Sequence, residues 1–338
     1  MIDGERPIGA KARLISEPNL VFVVGDNITT CTTLNDLSDY GTPQAPAALL
    51  KCALLSIGIL EINGKMNEHS STRTSLQEQI FLHTNGYGIE LHSWSNLPTG
   101  SGLGTSSILA ACIIASAARV CSIHLTEESL VHAVLLTEQL LTTGGGYQDN
   151  VGGVYGGAKI CRSSNTLPLR VTTTNIPLSQ TFQNVLNDHL LLIYTGRARL
   201  ARNLLQNVVR RWYARLPEIV ETINNLTKTA IDAANAIEKE DLIEVGENLS
   251  KYWSQKKCMA EGCEPEFVSQ MIECFRKSIL GASLCGAGGG GFLVVLTKKP
   301  NDIKNLQEQL RSLELNIPGI KFHKVQIDTS GLTVDTAI

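Results

Sequence analysis

Leu97-Pro98-Thr99-Gly100-Ser101-Gly102-Leu103-Gly104-Thr105-Ser106-Ser107 is the stretch that decides the fold, because three alternating glycines lead straight into the apolar helical stretch Ile108 to Val120. A glycine-rich turn at a helix N-terminus binds anions, since unpaired backbone N–H groups point at the ligand and the helix dipole favours negative charge. Glycine also lets the backbone approach the ligand closely. The hydroxyls that follow can donate hydrogen bonds or offer an oxygen to Mg²⁺. The stretch therefore predicts a phosphate-binding loop.

Two other glycine-rich signatures do not fit this stretch. A Walker loop needs Gly-Lys-Ser/Thr, and there is no lysine here. The dinucleotide-binding fingerprint needs a third glycine where Thr105 stands. The remaining alternative is a tight turn that only joins a strand to a helix, but such a turn does not need three glycines followed by three hydroxyls.

Composition excludes several classes of protein. The 338 residues, 43% hydrophobic and 18% charged, suggest about two domains with a proper core. A net charge of −3 argues against nucleic acid as a partner. The apolar run Ile108 to Ala118 is too short to cross a membrane. The chain opens without a secretory signal, and its nine cysteines form no Cys-x-x-Cys pair, so we expect reduced thiols in the cytoplasm. The seven histidines lack the spacing of zinc ligands.

Periodicity predicts strands and helices that change in character near residue 195. In the first part we expect strands at 7–15, 20–24, 88–94, 155–161, 169–174 and 189–194, with helices at 43–62, 104–121 and 127–141, the last of which is capped by Thr126. In the second part we expect helices at 198–224, 227–257, 265–279 and 301–313, and strands within 281–297 and at 320–327. The predicted domains are therefore residues 1–195 and 196–338.

Glu138 breaks the pattern of the predicted helix 127–141. The apolar stripe of this helix is formed by Val131, Val134, Leu135 and Leu141, and Glu138 falls on the same stripe. A carboxylate that faces a core is costly unless it is paired or binds a metal. The two interpretations are a metal ligand and a salt bridge at the end of the helix.

Asp149 lies between two groups of glycines, in the stretch Gly144 to Gly153. A loop of this composition can wrap around a ligand and present one carboxylate to it. The alternative is an Asx-turn in an ordinary glycine-rich loop.

Gly281 to Phe292 contains four consecutive glycines, Gly288 to Gly291, between two strand-like runs. Fixing so many glycines costs much conformational entropy. The pattern indicates backbone that passes close to a ligand or to another loop, and the alternative is a flexible hairpin.

These three stretches together resemble the GHMP kinases. Pro98 to Ser107 matches the second motif of that family, Pro-x-x-x-Gly-Leu-Gly-Ser-Ser, with Thr105 replacing the first serine. Gly286 to Gly291 matches the third motif, Gly-x-Gly-Gly-Gly-Gly. Glu138 and Asp149 lie eleven residues apart, as do the metal-binding Glu and the downstream Asp of mevalonate kinases. Within the family the chain looks most like the kinase domain of L-fucose kinases, for example over Thr142 to Gly153.

The resemblance implies an α+β fold of two domains, the first an S5-like α/β domain that binds ATP and the second ferredoxin-like. It implies ATP-dependent phosphorylation of the anomeric hydroxyl of L-fucose, with ATP and Mg²⁺ as cofactors and small molecules as partners. Asp149 would be the catalytic base, and Ser106 and Glu138 would hold Mg²⁺. The residues implied to bind ATP are Pro98, Gly100, Ser101, Gly102, Leu103, Gly104, Thr105, Ser106 and Ser107. The loops implied to lie near the substrate contribute Gly145, Gly146, Gly286, Gly288, Gly289 and Gly290.

One departure from the family concerns the N-terminus. L-fucose kinases carry a first motif, Ser-Gly-Gly-Trp-Ser-Asp-Thr-Pro-Pro, which helps to hold the sugar, and the sequence begins after it. Asp3-Gly4 is a hairpin-turn signal that only Met1 and Ile2 precede. We therefore expect a shortened kinase that binds Mg-ATP but turns over L-fucose poorly. The alternatives are a kinase for another sugar, such as a heptose phosphate, and a catalytically weak nucleotide-binding fragment.

Overall fold

The computed structural model describes residues 1–62, 75–142, 145–197, 202–313 and 317–336. Its first half contains the following elements: β1 (Ile8–Ile15), β2 (Leu20–Val24), β3 (Asn27–Cys31), a 3₁₀ turn (Leu34–Leu37), α1 (Ala48–Ser56), α2 (Leu76–Thr84), β4 (Gly88–Ser95), α3 (Thr105–Val120), α4 (Glu127–Leu140), α5 (Gln148–Val154), β5 (Ala158–Ser163) and β6 (Val171–Ile176). Its second half contains α6 (Gln180–His189), β7 (Leu190–Thr195), α7 (Arg202–Tyr213), α8 (Pro217–Glu238), α9 (Leu242–Met259), α10 (Glu266–Phe275), β8 (Ile279–Leu284), β9 (Phe292–Thr297), α11 (Ile303–Ser312) and β10 (Ile320–Lys324).

Two four-stranded sheets organise these elements. The first has the order β1-β4-β2-β3, in which β2 and β4 are parallel and the other pairs antiparallel. The second has the order β10-β7-β9-β8 and is antiparallel throughout. Each sheet packs on its own buried core: one core includes Phe22, Leu91 and Ile114, and the other includes Trp253 and Phe275. The fold is therefore α+β with two domains, as predicted.

The helix that follows the first glycine loop, α3, extends over Thr105–Val120, and the prediction of residues 104–121 is confirmed. The predicted cap of the next helix is also confirmed, because the Thr126 side chain accepts a hydrogen bond from the backbone N–H of Ser129. α1 is shorter than the predicted 43–62, since Ala47 before it and Gly58 after it have positive φ angles.

The prediction of two long helices, at 198–224 and 227–257, was wrong in the number of helices. Within the described residues, which exclude 198–201, the chain forms three helices there. The first break falls before α8, where Pro217 occupies the first helical position that suits proline. The second break falls at Asp241, whose carboxylate accepts hydrogen bonds from the N–H groups of Ile243 and Glu244 and so begins α9.

The predicted domain boundary at residue 195 falls at the end of β7, yet β7 lies inside the second sheet, between β9 and β10. A boundary at that point would separate a central strand from the domain that it completes. We therefore propose that the second domain begins before Leu190.

The N-terminal Asp3-Gly4 turn has partners in the structure. Ile2 pairs with Glu5 across the turn and also with Val325, which follows β10. The N–H of Asp3 donates to the carbonyl of Lys324 at 2.8 Å. The turn thus joins the N-terminus to the chain after the second sheet, while β1 lies at an edge of the first sheet.

A cavity of about 1070 Å³ lies along β1, α3 and residues 325–336. Its walls include Gly152 and Gly153 of α5 but neither Asp149 nor Glu138. Among the described residues, no helix has the length and apolar character that crossing a membrane requires.

Candidate active site

The first glycine loop, residues 98–107, connects β4 to α3. Gly100, Gly102 and Gly104 have φ angles of +72°, +79° and +65°. Gly104 immediately precedes α3, and its left-handed conformation, which side chains disfavour, turns the chain into the helix. The N–H groups of the first helical turn have no carbonyl partners within the helix, so they are donors for an anion.

Four of the predicted ATP-binding residues make contacts that stabilise the conformation of this loop. The N–H of Ser101 donates to the carbonyl of Pro98 at 3.1 Å, which closes a turn. The Ser101 hydroxyl is buried and lies 3.0 Å from the hydroxyl of Thr105. Leu103 packs with Leu97 in a small apolar cluster. These side chains fix the shape of the loop and leave its backbone N–H groups as the candidate donors for an anion.

Glu138 occupies the last turns of α4 and is buried, with 5% of its surface exposed. The hydroxyl that contacts it belongs to Ser107, which donates to Oε1 at 2.6 Å, whereas the side chain of Ser106 is exposed. Burial raises the pKa of the Glu138 carboxyl, the charge of Asp149 raises it further, and the hydrogen bond from Ser107 opposes both. The sequence predicted that Glu138 acts together with Ser106. In the structure, α3 places the hydroxyl of the next residue, Ser107, against Glu138.

Asp149 lies in the first turn of the short helix α5, where sequence reasoning expected a loop. Its carboxyl group lies directly against the first glycine loop, because a Cβ atom placed on Gly104 would be 2.8 Å from Cγ of Asp149. Part of its surface faces solvent. The surrounding walls nevertheless desolvate the carboxylate and raise its pKa, while the charge of Lys256 lowers it. Asp149 is therefore an accessible carboxylate beside the predicted phosphate site.

The second glycine loop, which joins β8 to β9, contacts the first loop. A Cβ atom on Gly102 would lie 2.6 Å from the carbonyl oxygen of Cys285, and one on Gly286 would lie 2.6 Å from Cα of Gly102. The N–H of Phe292 donates to the carbonyl of Ser101 at 3.0 Å. Such close approach of two backbones requires glycine on both sides.

The other predicted loop glycines have different neighbours. Gly288 and Gly289 lie against Cys263, and the N–H of Gly289 donates to the Cys263 carbonyl at 2.6 Å. Gly290 has a φ of +144°. Gly145 lies beside Glu138, since a Cβ atom there would be 3.0 Å from Oε2, and Gly146 borders open space. Gly145 and Gly286 are thus part of the site, and the contacts of Gly288 and Gly289 hold the second loop to the segment after α9.

Lys256 is a residue of the site that sequence reasoning missed. It lies on α9, is only 7% exposed, and donates to the carbonyl of Gly286 in the second glycine loop. Its positive charge acts on the carboxyl group of Asp149 and lowers the pKa of that group. A lysine in a polar helical stretch carries no spacing signal, so only the fold brings it to the two loops.

The donor set suits phosphoryl transfer with Mg²⁺. Mg²⁺ is usually held by one or two carboxylates together with waters and substrate phosphates, rather than by a complete protein cage. Among the described residues no group of three or more His, Cys, Asp or Glu side chains could hold a metal ion. Glu138 and Asp149 do supply two carboxylates beside the glycine loop that is predicted to bind phosphate. The residues therefore fit a metal that reaches the site with a nucleotide.

Comparison with protein-family models gives two matches. Residues 71–157 match the GHMP kinases N terminal domain, and residues 231–314 match the GHMP kinases C terminal domain. The first match contains the first glycine loop, Glu138 and Asp149. The second contains Lys256 and the second glycine loop.

Curated relatives include sugar kinases. The chain is 32% identical over 313 residues to the bifunctional fucokinase/GDP-fucose pyrophosphorylase of Arabidopsis thaliana, covering 91% of this chain and 28% of that protein. It is 30% identical over 303 residues to the L-fucokinase/L-fucose-1-P guanylyltransferase of Bacteroides fragilis, covering 90% and 31%. It is 25% identical to a D-glycero-alpha-D-manno-heptose 7-phosphate kinase of Campylobacter jejuni, covering 65% of each. The chain thus spans less than a third of the length of the two fucokinase relatives.

Among solved structures, the galactokinase of Lactococcus lactis complexed with galactose superposes with a TM-score of 0.68 at 14% identity, over 97% of this chain and 87% of that one. This likeness concerns the fold alone. The two family matches lead to one conclusion: the chain belongs to the GHMP kinases.

Proposed function

We propose that this chain is an ATP-dependent sugar kinase that transfers the γ-phosphoryl group to the anomeric hydroxyl of L-fucose, giving L-fucose 1-phosphate. The observation that carries the kinase assignment is the contact of the Asp149 carboxyl with Gly104, at the start of α3. It puts a proton acceptor beside the site where a helix N-terminus favours phosphate. The choice of L-fucose rests on the printed activities of the two fucokinase relatives.

In this proposal the chain's own groups mainly position the reactants and neutralise charge. Backbone N–H groups of residues 100–107 bind the phosphates of ATP. Asp149 accepts the proton of the sugar hydroxyl while the oxygen of that hydroxyl forms a bond to the γ-phosphorus. The bond from that phosphorus to the β–γ bridging oxygen breaks, and ADP leaves with the electron pair. A well-placed general base of this kind contributes roughly 10²- to 10⁴-fold to the rate.

Glu138 and Ser106 are proposed to hold Mg²⁺, with Ser107 fixing the orientation of Glu138 through its hydrogen bond. When bound there, Mg²⁺ would offset the negative charge that the phosphates of ATP bring. Burial raises the pKa of the Glu138 carboxyl and so disfavours its ionised form. A cation bound beside it would stabilise that ionised form.

The experiment is an ADP-release assay with Mg-ATP and a panel of acceptors: L-fucose, D-galactose, D-glycero-D-manno-heptose 7-phosphate and mevalonate. We expect turnover with L-fucose and a product whose anomeric proton couples to phosphorus in the NMR spectrum. The phosphate must be at C1 for the assignment to hold. Higher kcat/KM with the heptose phosphate would favour the second candidate, which the Campylobacter relative supports.

A third outcome separates a kinase from a binding module. Isothermal titration with a non-hydrolysable ATP analogue measures nucleotide binding without any acceptor. Binding of the analogue without transfer to any sugar would contradict the catalytic proposal and indicate a nucleotide-binding module instead.

We also propose that the protein acts in the cytoplasm. All nine cysteines lie in the described part of the chain, and each has a free thiol. Burial raises the pKa of several of them, for example Cys52 and Cys112 to about 11, so these thiols stay protonated and unreactive at neutral pH. Unpaired thiols in the core suit a reducing compartment.

A further inference from the structure

Lys256 is a buried cation that forms no ion pair with any residue in the described part of the chain. Only 7% of it is exposed, and its ammonium group lies 5.5 Å from the ring of Tyr252 and 5.8 Å from that of Trp253. Among the described residues no carboxylate oxygen lies within 4.0 Å of its Nζ atom. Burial of an unpaired ammonium is costly, so a fold keeps one mainly where its charge has a use.

The hydrogen bonds of Lys256 join α9 to the contact between the two glycine loops. Its Nζ atom donates to the carbonyl of Gly286 and lies 3.3 Å from the Tyr252 hydroxyl. Gly286 is the residue that touches Gly102 of the first loop. An ammonium group has three donors, and these two partners use two of them.

The charge of Lys256 acts across the loop contact. It acts to lower the pKa of Asp149 in the first domain and the pKa of Cys285 in the second glycine loop. Asp149 in turn lies against Gly104 of the first loop. The ammonium group, the loop contact and the proposed base therefore form one connected arrangement that includes both domains.

We propose that Lys256 is a positioning residue of phosphoryl transfer, which holds the second glycine loop against the first through Gly286 and supplies positive charge beside Asp149. This inference rests on the proposed kinase function. The chemistry that needs such a charge is the approach of an anionic phosphate chain to a carboxylate, which repel each other unless a cation lies nearby.

The test compares three variants. Lys256→Met removes the charge and keeps the length of the side chain, Lys256→Arg keeps the charge, and Lys257→Met is the matched control. Lys257 is the next residue on α9, but its side chain is 41% exposed and pairs with Glu264 at 3.1 Å. For each protein we would measure kcat, the KM for sugar, the affinity for a non-hydrolysable ATP analogue, and the melting temperature.

We expect Lys256→Met to lower kcat by about 10²- to 10³-fold, in the range seen when one electrostatic donor is removed from an active site. The KM for sugar should change far less. Lys256→Arg should recover at least about tenfold of the lost kcat, and Lys257→Met should stay within about twofold of the wild type. The melting temperature of Lys256→Met should be unchanged or higher, because methionine replaces a buried charge with an apolar group.

Either of two kinetic results would overturn the inference: a kcat of Lys256→Met within about threefold of the wild type, or equal loss of kcat in the Met and Arg variants while both remain folded. A melting temperature that falls in Lys256→Met in proportion to its activity would also contradict it, since that result indicates a structural role alone.

A second measurement keeps this inference separate from the proposed function. If the wild type phosphorylates no acceptor, the proposed function has failed, and a double-mutant cycle in urea decides the arrangement of charge. The effects of Lys256→Met and Asp149→Asn on stability should be non-additive, while those of Lys257→Met and Asp149→Asn should add. Additivity in the first pair would show that the Lys256 charge does not act on Asp149, and would overturn the inference.

Discussion

Glu138 and Asp149 lie close enough for the charge of Asp149 to act on Glu138, but the two carboxyl groups have different neighbours. Glu138 is buried beside the hydroxyl of Ser107, and Asp149 remains accessible beside Gly104. Burial raises the pKa of both carboxyl groups, but only the carboxyl of Asp149 has Lys256 among the causes that oppose the rise. Different surroundings of two titratable groups favour different roles, and the roles that we propose for them are a metal ligand and a base.

At Asp149 we expect Asp149→Asn to lower kcat by about 10²- to 10⁴-fold, because the amide cannot accept the proton of the sugar hydroxyl. The affinity for a non-hydrolysable ATP analogue should change little, since in the proposed function the phosphates bind to the loop backbone. Steady-state kinetics and isothermal titration measure the two effects. Asp26→Asn, in the exposed turn between β2 and β3, is the control and should behave as the wild type. Turnover within about threefold of the wild type in Asp149→Asn would contradict the assignment of the base.

At Glu138 the raised pKa predicts how stability depends on pH. The unfolded chain releases this proton at a lower pH than the folded chain, so the ionised group disfavours folding above the folded pKa. Glu138→Gln, whose amide oxygen still accepts the bond from Ser107, should therefore raise the melting temperature at pH 7.5 without Mg²⁺. The gain should fade as the pH falls toward about 4, where both states are protonated.

The same variant tests the metal. Thermal unfolding at pH 4 and pH 7.5 gives the first comparison, and a Mg²⁺ titration of kinase activity gives the second. We expect Glu138→Gln to need more Mg²⁺ for half-maximal activity. An unchanged Mg²⁺ titration would mean that Glu138 has a structural role only.

At the scale of elements, the contact between the two glycine loops depends on the absence of side chains. Gly102→Ala would force a Cβ atom to 2.6 Å from the carbonyl oxygen of Cys285 at a φ of +79°. Gly58→Ala is the matched control, because Gly58 has a similar φ of +73° with open space around it. Alanine in the left-handed region costs about 1–2 kcal/mol by itself.

We expect urea unfolding to show that cost in Gly58→Ala and a larger loss in Gly102→Ala, together with weaker binding of an ATP analogue in Gly102→Ala alone. Equal losses of stability and unaltered nucleotide binding in both variants would indicate that the loops do not need their close contact.

The sequence predicted elements best where local chemistry dominates. The helix that follows the first loop and the Thr126 cap depend on adjacent residues, and both are confirmed. The separation of α8 from α9 is a local signal that was missed, since Glu240 with a φ of +59° and the Asp241 cap end one helix and begin the next.

Tertiary contacts explain what the sequence could not predict. Asp149 lies on a short glycine-containing helix that packs on α3 and α4, and helix propensity alone disfavours such a helix. The partnership of Ser107 with Glu138 depends on how α3 packs on α4. Lys256 comes to the site only because α9 packs on β8, the strand before the second loop.

At the scale of the whole molecule, the site is assembled from both domains. The first domain supplies the first glycine loop, Glu138 and Asp149, and the second domain supplies Gly286 and Lys256. Hydrogen bonds connect the loops directly, from the N–H of Phe292 to the carbonyl of Ser101 at 3.0 Å. Because a ligand that contacts both parts binds the folded chain and not the unfolded one, nucleotide binding should stabilise the two domains together.

Calorimetry tests this coupling. With Mg²⁺ and a non-hydrolysable ATP analogue at about a hundred times its dissociation constant, linkage predicts roughly 2.7 kcal/mol of added stability. We expect the unfolding transitions of both domains to move to higher temperature, and the shift to shrink in Glu138→Gln at the same ligand concentrations. If the analogue raises one transition and leaves the other unmoved, only one domain contributes to the nucleotide site. The contact between the loops would then hold the domains together without forming the site, and the roles proposed for Gly286 and Lys256 would fall with it.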